Sequence, residues 1–487
     1  MFADHEAGHR RPGMFRIIAS SSIGTMLEYY DFFIYVALTS TLTELFLPAT
    51  DRLVMSLAGV ATFGIAYVAR PLGTLIFSPM SDRIGRKKTF VITLVIMGIG
   101  TVGIGCLPTY AAIGAAAPAA LLSLRIVQGV ALGGEYGSAV VYVMEHAGAG
   151  RKGMATSVLQ STATIGLLLA LLIVCTLRFA LDAEDFRAWG WRVPFLVSAP
   201  IVVIATWIRL GMSETPTFMA LKHAGRLSAS PLQDTLGSKT SWKAIFVAMF
   251  GPQGGTSVSL YTSIVYMLYF LENVLKVEQT RASLCLGVAI LIAAPMYPVF
   301  GRLSDAIGRA KVILVGIALW IVAAYPCFAG IRAAVSAGEW GAVIALISVL
   351  AILTAMIMAP LPAFIAESFP PQSRTTGFGL SQQLGNILFG GFLPLISLFF
   401  VHLTGNQLAG VVYSMLAMAP CLVVTAFWGL GQEAAGRRAA GAEAAPVRAA
   451  GDELPAAVDG GRSAEAANIG LGNRNRHRVI VEIGQSP

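Results

Sequence analysis

Charge is scarce in this chain. Of its 487 residues only 12% are Asp, Glu, Lys or Arg, while 56% are hydrophobic. A soluble protein of that length covers its surface with far more charge, so a freely soluble fold is excluded. Cysteine is scarce too: Cys106, Cys175, Cys285, Cys327 and Cys421 each lie alone in an apolar run. They have neither metal-ligand spacing nor the pattern of a disulfide framework. The chain has no glycine-rich G-x-x-x-x-G-K-[ST] loop, which argues against direct drive by ATP. Nothing in it resembles an enzyme, and no cofactor or metal is expected.

What is abundant is uninterrupted apolar sequence. Twelve runs reach or approach the ~20 residues a helix needs to cross a bilayer core. They are about 17–38, 57–78, 89–107, 119–144, 156–179, 194–210, 244–271, 283–300, 312–331, 341–365, 378–401 and 409–430. The chain therefore reads as an all-α integral membrane protein with twelve transmembrane helices in a lipid bilayer. The first run follows Arg10, Arg11 and Arg16, as a signal peptide would. It is longer than a signal core and carries Glu28 and Asp31, so it reads as a permanent span.

Basic residues collect on alternate connections. One set holds Arg83, Arg86, Lys87, Lys88, Arg151, Lys152, Lys222, Arg226, Lys239, Lys243, Arg302, Arg309, Lys311 and Arg374. The opposite set holds only Arg52, Arg178, Arg187, Lys276, Arg281 and Arg332. By the positive-inside rule the first set and both termini are cytoplasmic. The formal charge of +8 is thus a matter of topology, and nucleic acid is not an expected partner. After about Gly431 the composition turns to Ala, Gly, Glu and Arg, which predicts a disordered cytoplasmic tail over 431–487. Its cluster Arg474, Arg476, His477 and Arg478 is either a solvated stretch or a contact for anionic lipid.

The chain repeats itself. Ser81, Asp82, Ile84, Gly85, Arg86 and Lys88 recur as Ser304, Asp305, Ile307, Gly308, Arg309 and Lys311, about 223 residues later. Glu145, Arg151 and Gly153 recur at nearly that offset as Glu367, Arg374 and Gly377. The organisation predicted is a cytoplasmic segment 1–16, a six-helix half 17–212, a cytoplasmic linker 213–243 and a second six-helix half 244–430. The two halves are parallel repeats.

The D-R-x-G-R-K turn from Asp82, with its echo in the second half, resembles the signature of the major facilitator superfamily. The chain is similar, more narrowly, to the metabolite:proton symporters. The residues that carry this are Glu28-Tyr-Tyr-Asp31-Phe, Arg70-Pro-Leu-Gly73, Arg125-x-x-Gln128-Gly129, Gly133-Gly-Glu-Tyr-Gly137, Trp189-Gly-Trp-Arg-Val-Pro-Phe195 and Glu214-Thr-Pro-x-Phe218. The resemblance implies a functional monomer in the bacterial inner membrane that takes up a small organic metabolite, a carboxylate or zwitterion, together with a proton. Alternating access to a site between the halves is the mechanism it implies. Two positions depart from the family pattern: Ser78 and Ser81 stand where glycines are usual, and the added bulk is expected to loosen packing there. The usual Tyr-Asn pair of the eleventh span is replaced around Gln382 and Gln383.

Polar residues inside the runs are the candidate site. Gly24, Glu28, Asp31 and Tyr35 are spaced 4, 3 and 4 and share one helical face. A carboxylate at mid-bilayer costs about 2.5–3.5 kcal/mol, so this face should meet a watery cavity or a cation. Asp31, Glu28 and Glu135 are the candidates for proton coupling; the alternatives are a structural ion pair for Asp31 and Glu135 and a solvated vestibule for Glu28. Matched depths predict the pairs Asp31 with Arg125 and Arg70 with Glu135. In the second half Gln253, Ser257, Tyr261 and Tyr266 of the seventh span, with Gln382, Gln383 and Asn386 of the eleventh, are candidates to read substrate; the tyrosines could equally be packing or interfacial anchors. Asp82, Arg86 and Glu145, mirrored by Asp305, Arg309 and Glu367, predict charge clusters that latch an inner gate, or that merely mark topology. A drug exporter is the nearest rival, but it would be expected to carry a glycine-proline motif where this fifth span reads SVLQSTATIGLLLALLIV. A passive facilitator or a ligand-binding sensor are further alternatives.

Overall fold

A computed structural model describes residues 14–47, 52–148 and 150–433 of the chain. The tail cluster at Arg474 and the first residues of the chain lie outside these. The described residues form helices and no strand. The long helices are α1 (Met14–Phe46), α2 (Arg52–Ile84), α3 (Arg86–Cys106), α4 (Ala116–His146), α5 (Lys152–Ala180) and α6 (Arg192–Leu210). They continue with α7 (239–274), α8 (Gln279–Ile307), α9 (Arg309–Ala337), α10 (Trp340–Glu367), α11 (Arg374–Thr404) and α12 (Ala409–Glu433). Among the described residues nine, all but α1, α2 and α7, are long and apolar enough to cross a membrane. Between α6 and α7 lie two short helices, Pro216–His223 and Pro231–Gly237, and the linker expected over 213–243 ends at Ser238, where α7 begins.

The repeated turn has a backbone reason for its glycine. Gly85 between α2 and α3 has φ +107°, and Gly308 between α8 and α9 has φ +115°. Residues with a Cβ are strained there, whereas glycine is not. Each turn is then tied by a carboxylate. Glu214 Oε1 and Oε2 accept from the amides of Arg86 and Lys87, at 3.1 and 3.2 Å. Glu433 does the same for Arg309 and Ala310, at 2.8 and 2.9 Å. These amides begin α3 and α9 and have no partner inside their helices, so an acid is the natural cap.

Within the first half α2 lies against α4 and α1 against α5. The α2–α4 contact is close because Gly129 and Gly133 of α4 leave no Cβ in the way. A Cβ would stand 2.2 Å from Ala66 O and 1.9 Å from Arg70 O, respectively. This is the small-xxx-small packing that membrane helices use. Contacts between the halves run mainly α2 to α11 and α5 to α8, which are equivalent pairs under the repeat. Helix α7 is not regular. Gly251 has φ and ψ both near −106°, and Pro252 follows it, breaking the hydrogen-bond ladder. Wider turns at Met249–Gln253, Tyr261–Tyr266 and Phe270–Val274 interrupt the rest. Such interruptions are frequent at functional sites.

Candidate functional site

The helices enclose a cavity between the halves. From the first half Glu28, Tyr29, Phe32, Phe33, Arg70, Tyr136 and Gln160 line it; from the second, Gln253, Thr256, Leu260, Tyr261, Ile264, Val265, Met358, Leu361, Gln382, Gln383 and Asn386. Its volume of about 50 Å³ admits a few waters. Glu28 is 7% exposed, and its Oε2 has no hydrogen-bond partner. Tyr136 donates its hydroxyl to Gln160 Oε1 at 2.5 Å. On the second half Gln253 Nε2 donates to Asn386 Oδ1 at 2.9 Å and to Ser257 Oγ at 3.1 Å. Ser257 Oγ also donates to Asn386 Oδ1 at 2.9 Å.

The four-residue stripe of α1 does not face this cavity as a unit. Only Glu28 does, because the cavity side of α1 is the one that bears Tyr29, Phe32 and Phe33, roughly a quarter-turn away at 100° per residue. Asp31 points into the first half. Its Oδ1 accepts from Thr101 Oγ1 and from Gln128 Nε2, both at 2.8 Å, and its Oδ2 lies 3.6 Å from Arg125 Nη1. Arg125 in turn donates to Gln128 Oε1 at 3.0 Å and rests its guanidinium on the ring of Tyr35, 3.3 Å from the centroid. Asp31 and Arg125 therefore belong to a buried network within the first half rather than to the cavity wall.

The expected pairing of Arg70 with Glu135 is corrected. Glu135 Oε1 sits 2.9 Å from Arg209 Nη2, and both side chains are buried. Arg209 also donates to Phe90 O at 2.9 Å. Gly24 makes room for this pair, since a Cβ there would overlap Arg209 Nη2 and stand 2.5 Å from Glu135 Oε1. Arg70 instead lines the cavity with Glu28. Tyr266 is a second correction. It is fully buried away from the cavity, stacked on Phe328 at 5.8 Å, so it packs the second half rather than meeting substrate. Tyr261, Gln253, Gln383 and Asn386 do line the cavity. Reasoning from sequence missed Arg209, Tyr136 and Gln160. Only Gln160 left a mark, as a polar residue within an apolar run.

At the end of the molecule that bears the repeated basic turns, both charge clusters form, and they cross between the halves. Arg86 lies 3.5 Å from Asp82 and 3.4 Å from Glu145, and Arg374 of the second half reaches Glu145 at 3.6 Å. Asp82 accepts from the amides of Thr375 and Thr376, at 3.4 and 3.0 Å, and from Thr376 Oγ1 at 2.9 Å. It thereby caps the start of α11. In mirror image, Arg309 lies 3.3 Å from Asp305 and 3.1 Å from Glu367, and Lys152 of the first half reaches Glu367 at 3.6 Å. Asp305 caps the start of α5 through the amides of Gly153 and Met154, both at 2.9 Å. The serines that replace glycines are accommodated. Ser78 faces Gly379 of α11, and its repeat mate Gly301 faces Ser157 of α5. Serine and glycine have exchanged sides of the contact, so one small residue remains in each. Ser81 Oγ accepts from Ser138 Oγ at 3.1 Å.

At the opposite end the closure is apolar. Phe33, Val36, Leu171, Ile264, Val265, Leu268 and Leu286 leave only about 10 Å³ between them. Beyond them Arg178 donates to Gln279 Oε1 at 2.6 Å and to Ala37 O at 3.4 Å. A wider vestibule of about 270 Å³ follows, lined among others by Thr39, Thr43, Glu44, Tyr269 and Glu272. The cavity is shut at both ends, which is the geometry of an occluded state.

The chain matches two family descriptions, "Sugar (and other) transporter" over residues 17–245 and "Major Facilitator Superfamily" over 254–463. It is 32% identical to the alpha-ketoglutarate permease of Escherichia coli over 386 residues, which cover 78% of this chain and 86% of that one. It is 31% identical to the citrate-proton symporter of Salmonella typhi, covering 87% and 96% of the two, and 30% identical to the proline/betaine transporter of Salmonella typhimurium, covering 82% and 80%. In fold it is similar to the partially occluded inward-open xylose transporter XylE from E. coli, with a TM-score of 0.64 at 18% identity, over 85% of this chain and 98% of that one. Helical pairs related by an internal repeat, a cavity between them and these likenesses lead to one statement: the chain is a membrane protein that belongs to the major facilitator superfamily of transporters.

Proposed function

We propose that the protein is a proton-coupled symporter that takes up a small polar organic metabolite by alternating access. All twelve long helices cross the bilayer of a bacterial inner membrane, and the basic end with both termini faces the cytoplasm. Residues 17–212 and 244–430 rock as two bodies about the central cavity, with 213–243 as the link, and one copy of the chain suffices. Arg70, Tyr261, Gln253, Gln383 and Asn386 hold the substrate. The Asp82–Arg86–Glu145 and Asp305–Arg309–Glu367 clusters latch the cytoplasmic gate.

The single observation that carries the coupling is Glu28, a carboxyl on the cavity wall beside Arg70 with one oxygen unpartnered. Such a group can exchange a proton with whichever side the cavity opens to. The other two candidates are less available. Asp31 has each oxygen engaged, and Glu135, whose Oε2 is also without a partner, is held by Arg209 and does not line the cavity. They serve as fixed charges that position α1 against α3 and α4 and anchor α6.

Uptake of labelled metabolites into energised right-side-out vesicles, with and without an uncoupler, tests the reading. Glu28→Gln should abolish accumulation driven by a pH gradient while keeping exchange of internal for external substrate. Asp31→Asn, at equal surface expression, should lower affinity or stability and keep the pH dependence. Loss of proton drive in Asp31→Asn alone would move the proton site to Asp31. Full proton-driven accumulation in the double variant would end the assignment of the proton to either acid, and uptake that an uncoupler leaves unchanged would end the symport reading.

A further inference from the structure

Charge clusters join the halves at the basic end, whereas the far end is joined by an apolar seam of α1 and α5 against α7 and α8. Leu171 of α5 and Leu286 of α8 both lie in it. Gly287 belongs to the same contact: a Cβ there would stand 3.5 Å from Leu171 Cδ1 and 3.9 Å from Leu168 Cδ2, an ordinary distance. Seven residues beyond Leu171, about 10 Å along α5, one cation bridges the halves. Arg178 Nη1 donates to Gln279 Oε1 at 2.6 Å, and Gln279 Nε2 donates to Ala37 O of α1 at 3.5 Å.

An arginine at the end of an apolar run ordinarily reaches out to the bilayer interface. Arg178 turns inward instead. Its Nη2 donates to Ala37 O at 3.4 Å, and its guanidinium lies 5.3 Å from the ring centroid of the buried Phe186. Both partners belong to its own half, so the fork is held in place before α8 meets it. A donor ordered in advance loses little freedom when its last bond forms. Among the described residues no acid touches Arg178, and Glu272 acts on its charge only from a distance. Gln279 is the first residue of α8 and lines the wide vestibule, so water takes the place of Arg178 when the halves part. The bond is strengthened by the charge of its donor, and it buries no second charge on α8. From this geometry we infer that Arg178 is the latch of the far gate, an arm of the first half that closes on Gln279 of the second. The inference rests on the alternating-access reading above, in which this end faces outward and opens to load substrate. The bond exists only while this end is shut, so losing it favours opening. A methyl at position 287 acts in reverse, because it meets Leu171 and Leu168 only in the closed seam.

The test places a thiol in the central cavity and asks how often the far end lets a reagent reach it. Thr256 is buried and lines that cavity, and Thr256→Cys nearly keeps its shape. The full-length chain with this substitution is held in right-side-out vesicles and treated with a membrane-impermeant sulfonated maleimide. Labelling at position 256 is followed by peptide mass, which separates it from the native cysteines. Arg178→Met and Gln279→Leu, each added singly, should speed labelling about 3- to 30-fold, the effect of one charged hydrogen bond reduced because water replaces it. The double variant should lie within about twofold of either single, since both remove the same bond. Gly287→Ala should slow labelling about two- to fourfold, as one more buried methyl would. Native labelling rates in both single variants would overturn the latch and leave alternating access standing. A double variant whose gain is the product of the two singles would also overturn it. Should Arg178→Met fail to purify as a monodisperse protein, Gln279→Leu decides alone. No labelling at 256 in any variant, with the thiol reactive after unfolding, would bring down the alternating-access reading itself.

Discussion

Gly301→Ser asks whether the fit of α8 on α5 holds the basic end shut. A Cβ on Gly301 would stand 2.0 Å from Ser157 Oγ, 2.6 Å from Ser157 Cβ and 2.8 Å from Gly153 O. The hydroxyl can swing away, but the other two atoms are fixed by the backbone of α5. Ordinary contact between carbons is about 3.5–4.0 Å, so the helices must part by roughly 1 Å. Overpacking of this kind costs about 1–3 kcal/mol. That cost falls only on the state in which α5 and α8 touch, the state closed at this end. The population open at the basic end should therefore rise about 5- to 150-fold.

Hydrogen exchange in detergent reads the change directly. The amides of Gly153 and Met154 are held by Asp305, and those of Thr375 and Thr376 by Asp82, so they are released when this end opens. Peptides over both starts should exchange faster by the same factor, as the proposed rocking of the halves as bodies requires. Adding Ser157→Gly leaves one small residue in the contact, as Ser78 and Gly379 do on the other side. Ser157 Oγ otherwise makes only a bond to Met154 O within its own helix, at 2.8 Å. The double variant should return to within about threefold of the native rate, with glycine in a helix costing about 0.5–1 kcal/mol locally. Native exchange in Gly301→Ser, or a double variant as fast as the single, would refute the packing argument.

Two further outcomes are expected. Glu135→Gln or Arg209→Met alone leaves a buried charge unpaired and should cost about 3–5 kcal/mol, seen as a lower melting temperature, while the double variant recovers most of it; singles that melt like the native protein would show that the pair does not hold α6. A chain ended after Leu430 loses the Glu433 cap on α9 and should be about 0.5–2 kcal/mol less stable than one ended after Arg437; equal melting would deny Glu433 that part.

The apolar runs made the helices legible, because a bilayer demands length and hydrophobicity that leave a plain mark on composition. The repeat of Asp82 at Asp305 was legible too. What those acids hold was not, since backbone amides at the starts of α5 and α11 carry no signature in sequence. The 4-3-4 stripe on α1 was correct as a helical face, yet which face meets the cavity depends on how α1 lies on α2, α4, α5 and α6. Arg209 hid at the end of an apolar run, where an arginine ordinarily anchors a helix at the interface. Tyr266 and Tyr261 look alike in sequence; only the aromatic neighbours Phe270 and Phe328, remote or round the helix, assign one to the core.

The charge clusters at the basic end obey the repeat and the cavity does not, and the proposed function accounts for the contrast. Asp82 of the first half caps a helix of the second, and Asp305 of the second caps a helix of the first. Glu145 and Glu367 reach across in the same reciprocal way, to Arg374 and Lys152. When two rigid halves rock about an axis between them, equivalent contacts on either side of it open together. Neither cluster can then fray alone, and contacts that are individually modest act as one two-state element. A substrate has no such symmetry. On the proposed reading it is gripped by two different walls at once, one with the charges of Glu28 and Arg70 and the other with neutral amides. Identical walls would hold only a symmetric molecule well. On that reading the repeat is kept where motion needs matched contacts, and it is lost where recognition needs a difference.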